Sequence, residues 1–103
     1  MSIESELKKD GIEIVEKLDI YTINNIADKV SAKLYQAFPN FGFEQNELYE
    51  RLSNLDMYKA KMPQGMSEAN YFYKNTSIYF NCEIPNEDLD EFAVHECIHY
   101  IQE

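Results

Sequence analysis

Basic side chains stop at Lys74. No Lys or Arg follows, whereas Glu83, Glu87, Asp88, Asp90, Glu91, Glu96 and Glu103 do, and the whole chain carries a net charge of −10. A surface without cations cannot neutralise phosphates, so this third is no phosphate site and the protein is not expected to bind nucleic acid. An acidic run of this kind favours cations nearby. Long apolar runs are also missing. Nothing reaches the ~20 residues a membrane helix needs, and Met1 to Asp10 lacks the apolar core of a signal peptide. The expectation is a cytoplasmic chain with no membrane segment. Cysteine is scarce: Cys82 and Cys97 are the only two, with no metal-type spacing between them. A disulfide between them stays open at this level, since nothing in the sequence argues for one. Repeats, linkers and low-complexity stretches are absent. What is present is 45% hydrophobic and 14% aromatic residues in 103. That suits one small domain, residues 1–103, burying about two-thirds of its chain surface.

Histidine is as rare as cysteine, and both histidines fall in one motif, His95-Glu96-Cys97-Ile98-His99. On an α-helix, residues four apart lie about 40° apart around the axis and about 6 Å along it. That spacing lets two imidazoles grip one tetrahedral zinc, with the glutamate placed to work on a bound water. The surrounding residues support a helix with two faces. Projected at about 100° per residue, His95, Glu96, His99, Phe92, Leu89 and Glu103 share one sector. Ala93, Val94, Cys97, Ile98 and Ile101 share the opposite one, which places Cys97 in the core as an inert thiol. Pro85-Asn86 stop the preceding segment, and Asp88 with Glu91 forms a capping-box pattern at the helix start. Glu87, Asp88, Asp90 and Glu91 suit the helix dipole there.

Ahead of this helix the periodicity changes several times. Ile3, Leu7, Ile14 and Leu18 form a helical stripe over residues 3–18, weakened at Asp10-Gly11. Thr22 suits an N-cap, after which Ile23, Ile26, Ala27, Val30, Leu34 and Phe38 recur at helical spacing until Pro39-Asn40. Phe41-Gly42-Phe43 reads as a turn with two aromatic anchors. Residues 44–55 read as a short helix carrying Leu48, Leu52 and Leu55. Alternation from Met57 to Met62 suggests an edge strand, and Pro63 to Ser67 a loop. Residues 69–73 and 77–81 are rich in aromatic and branched side chains and read as a hairpin around Lys74-Asn75-Thr76. Helices, then a small sheet, then the motif helix make the class α+β.

This order, with H-E-x-x-H on the helix after the last strand, resembles the zincin metallopeptidases. The likeness is architectural over most of the chain and specific over residues 77–103. It implies a zinc-dependent peptidase with His95 and His99 as Zn2+ ligands and Glu96 as general base, taking a proton from the zinc-activated water and delivering it to the leaving amine. It also implies a peptide or protein substrate added as a strand beside residues 77–81, near Ser77, Ile78 and Tyr79. Metzincins continue to a glycine where this chain has Gln102, which points away from them. Gluzincins supply a glutamate from a later helix, beyond the last residue here. Glu103 shares the motif face but lies about 12 Å along the axis from His95, too far for the same metal. The resemblance therefore implies the N-terminal half of a gluzincin-like site, inactive alone and binding zinc weakly. Two alternatives stand beside it: a zincin-like interaction module without catalysis, and a cytoplasmic zinc peptidase acting on phage-type repressors. An uncovered face of Leu89, Phe92 and the histidines would favour a two-fold homodimer.

Overall fold

A computed structural model describes residues 9, 11–40, 42–63, 68–72 and 76–102. The first described element is a strand, β1 (Glu13–Lys17), where the helical stripe predicted a helix. Gly11 sits at φ +82°, a left-handed conformation that breaks any helix entering from the N-terminal side. Beyond it, buried Ile12 and half-buried Ile14 alternate with exposed Glu13 and Val15, a period of two that suits β-branched residues. Residues 3–8 and 10 of the predicted helix lie outside the described residues.

Helix α1 (Ile20–Ala37) follows, ending at Phe38 before Pro39 as the spacing predicts. Its start lies earlier than Thr22. Asp19, in extended conformation, is the N-cap, and its Oδ1 accepts a hydrogen bond of 2.8 Å from the Thr22 N–H. Asp caps better than Thr because a charged acceptor meets the unpaired amides and the positive helix end together. Those hydrogen bonds hold the Asp19 carboxyl below its ordinary value of 3.8. A depressed folded-state value contributes stability above the ordinary range, and that contribution disappears as pH falls through the folded value. Asp19→Asn keeps a capping oxygen but loses the charge. The stability difference between parent and Asp19→Asn should therefore be constant near neutrality and shrink between about pH 5 and pH 2. Denaturant midpoints measured along that series test it.

Gly42, at φ +91°, turns the chain into α2 (Gln45–Ser53). Phe43 anchors that turn against the core, with the Arg51 guanidinium 4.7 Å above its ring. Its intended companion Phe41 lies outside the described residues. Leu48 and Leu52 are fully buried in α2, as their spacing predicts, whereas Leu55 is buried beyond the helix, which ends at Ser53 rather than at residue 55.

Strands β2 (Asp56–Lys61), β3 (Ala69–Phe72) and β4 (Ser77–Asn81) complete a four-stranded sheet in the order β1-β2-β4-β3. β2 is antiparallel to β1 and parallel to β4, and β3 is antiparallel to β4. The hairpin forms as expected, although residues 73–75 of its turn lie outside the described residues. Residues 64–67 of the predicted loop lie outside them too. Two expectations fail. Strand 57–62 is not an edge, because β1 takes its outer side. Strand 77–81 is not an edge either: β2 and β3 flank it on both sides, so no substrate strand can add beside Ser77, Ile78 and Tyr79. The edges among the described residues are β1 and β3. The β1–β2 pairing is interrupted between Ile14 and Glu16, so Val15 is an extra residue, a β-bulge.

The main core lies on one face of the sheet, where Met57, Ala69, Ile78 and Phe80 meet the leucines and isoleucines of α1 and α2. The other face carries Ile12, Ala60 and Tyr79. There the Tyr79 ring stacks on Tyr58 at 5.0 Å and meets Phe72 edge-on at 5.1 Å. β4 is thus buried on both faces, as the central strand should be.

Candidate metal centre

After β4, a 3-10 turn (Asn86–Asp88) leads straight into α3 (Leu89–Gln102), the motif helix. The turn begins at Pro85, and the Asp88 N–H donates to the Pro85 carbonyl at 3.0 Å. α3 packs on α1 and β3, and its two faces divide as the sequence implies. Ala93, Cys97 and Ile101 are buried, Val94 and Ile98 half-buried, and His95 and His99 exposed. Both cysteines are free thiols. Cys97 is fully enclosed, and burial, with the neighbouring Glu96 charge second, pushes its thiol up to about 12.

The predicted open face is only partly open. Phe92 is 38% exposed, but Leu89 has no exposed surface and belongs to the core. Leu89 sits at the border of the two sectors, so the inward side of the first turn claims it. The next residue is tied down as well. Asp90, 7% exposed, receives Lys33 Nζ of α1 at 2.8 Å. That ion pair spans 57 positions of sequence and had no local signal. It clamps the entry of the motif helix to α1.

The two imidazoles meet edge to face at 87°, and their Nε2 atoms are 3.0 Å apart. Two nitrogens bound at about 2.0–2.1 Å to one tetrahedral zinc would be about 3.3 Å apart. The Nε2 separation is therefore close to that of a chelating pair, and both rings lie on an exposed surface. In the metal-free state one Nε2–H donates to the other ring. Zinc requires lone pairs on both Nε2 atoms, so that bridging proton must move to Nδ1 or leave.

Glu96 points elsewhere. Its Oε2 accepts a 2.9 Å hydrogen bond from the Tyr71 N–H of β3. In the β3–β4 pair, the Asn81 N–H donates to the Glu68 carbonyl at 2.8 Å. Bonded pairs alternate in antiparallel strands, so Asn70 and Phe72 turn their main-chain groups to β4 while Ala69 and Tyr71 turn theirs outward. Glu96 thus takes the outward N–H of an edge strand. The Tyr71 ring also meets the Tyr100 ring edge-on at 5.8 Å, so β3 grips the motif helix at two points. Tyr71 was not foreseen as part of the site, because a strand residue's outward amide leaves no mark in the sequence.

Among the described residues no group of three or more His, Cys, Asp and Glu side chains gathers about one point, so a third ligand is not seen. Glu103 lies outside the described residues. None of the described helices is long and apolar enough to cross a membrane. No family model, curated protein or solved structure matches this chain.

Proposed function

We propose that His95 and His99 hold a zinc ion through Nε2 and that Glu96 is the general base of a zinc-dependent peptidase site, of which this chain supplies two ligands and the base. The convergence of the two Nε2 atoms at 3.0 Å on an exposed helix face is the observation that supports this most. Bound zinc would supply electrophilic polarisation of a peptide carbonyl and acidify a water. His95 and His99, neutral, would hold the ion without cancelling its charge. Glu96 would take a proton at its carboxylate and pass it to the leaving amine. Buried Cys97 and the clamped Asp90 fix the helix behind them, so the ligands start from an ordered scaffold.

The substrate in this reading is an extended peptide, and its place is the outer edge of β3. That edge adjoins Glu96 and already directs main-chain groups outward, whereas β4 is enclosed. The two free thiols fit a reducing, cytoplasmic setting. A second reading, a zincin-like interaction module without catalysis, draws support from the Glu96–Tyr71 bond, which is also a good structural strut between helix and sheet.

Titration of metal-free chain with zinc separates these. Two ligands should give one weak, saturable site, and His95→Ala or His99→Ala should each lower the affinity at least about tenfold. Zinc bound equally well by both variants would remove the metal reading and leave the strut.

A further inference from the structure

The Glu96 carboxylate occupies the place that an added strand's carbonyl would take. A strand docking on β3 must accept a hydrogen bond from the outward Tyr71 N–H, because that is the donor the antiparallel ladder presents there. Glu96 Oε2 already accepts it at 2.9 Å. A charged acceptor on a main-chain amide makes a stronger bond than a neutral carbonyl does, so the edge is not simply open. Its Tyr71 N–H is taken by a side chain of the motif helix.

We propose that Glu96 is a displaceable plug on the β3 edge: an extended peptide segment binds there only by taking the Tyr71 N–H from it. The exchange trades one acceptor for another at the same donor, so no main-chain group is left bare at any stage. It also couples two events. While the edge is empty, Glu96 is committed to the strand and is withdrawn from proton transfer. When a peptide strand arrives, the carboxylate is released beside the exposed Nε2 atoms of the helix that carries it. The inference rests on the peptidase reading for the extended shape of its ligand and for the use of the freed carboxylate. The plug itself needs no metal.

The experiment uses the whole chain, labelled with nitrogen-15 and kept metal-free with a chelator. Exchange of the Tyr71 amide is measured in the parent, in Glu96→Gln and in Glu96→Ala. The probe is a blocked hexapeptide of alternating valine and lysine, extended and cationic to suit the acidic chain. In the parent, Tyr71 should be protected, and protection should fall at least about tenfold in Glu96→Ala and less in Glu96→Gln, whose amide oxygen still accepts. The probe should bind Glu96→Ala at least about tenfold more tightly than the parent, shifting the Ala69 and Tyr71 amides. Melting curves establish that both variants are folded, and if Glu96→Ala is not, the same ordering is read from Glu96→Gln. Unchanged Tyr71 exchange overturns the proposal, and so does probe affinity that does not rise when the carboxylate is removed. Because zinc is absent throughout, either failure leaves the metal reading to its own titration, and loss of zinc binding leaves the plug intact.

Discussion

Cys97→Asp should destabilise the native fold by several kcal/mol, about 3–5. Cys97 has no exposed surface and sits in the main core with Ala93 and Ile101 of α3 and with Ile78 and Phe80 of β4. The surroundings already resist ionisation of a thiol, which is pushed up to about 12. A carboxylate in the same place must either stay charged without a partner or take up a proton near neutral pH. Either course removes a large part of the roughly 5–15 kcal/mol that holds a small domain together. His95→Ala is the matched control on the opposite face. Its side chain is exposed, so in metal-free protein it should cost less than about 0.5 kcal/mol. Denaturant melts of the two variants give the ranking directly, and the reverse order would mean that α3 is turned the wrong way round.

In the proposed peptidase reading, Glu96→Gln should have as large an effect. In a longer chain that completes the ligand set, this substitution should reduce peptide hydrolysis by about 10²–10⁴-fold while bound zinc stays near that of the parent. The amide keeps the volume and one acceptor oxygen of Glu96 but cannot take a proton. Since Glu96 is not a ligand in this reading, metal analysis of the purified variant should find zinc undiminished. Hydrolysis that survives at the parent rate would reassign Glu96 as the strut between α3 and β3.

Much of the fold was legible where one local signal decided the matter. Ile23, Ile26, Val30 and Leu34 repeat at helical spacing, and all four are buried in α1. Val94, Ile98 and the buried trio of α3 follow from a single wheel. The hairpin followed from branched and aromatic runs on either side of a polar turn. The failures share another cause. Ile14 and Leu18 also fit a helical stripe, and only the partner strand β2 makes the alternation of Ile12 and Ile14 the stronger pattern. Once β1 was read as helix, β2 had no neighbour and looked like an edge. Sheet order depends on contacts between distant residues, so nothing local revealed that β4 is enclosed and that β3 lies at the edge. At the candidate site the paired histidines and Glu96 were visible from spacing alone. The Tyr71 amide and the Lys33–Asp90 clamp were not, because each joins elements that only the folded chain brings together.

The bulge at Val15 bears on how the β1 edge would meet a second copy of this protein. A sheet edge is a template for the next chain, and stacking edge to edge is the first step toward fibres. β1 defeats that step. Its extra residue breaks the even spacing of donors and acceptors, and exposed Glu13, Glu16 and Lys17 would each have to be stripped of water and set against an identical neighbour. Growth through that side of the sheet is therefore blocked by shape and by charge at once.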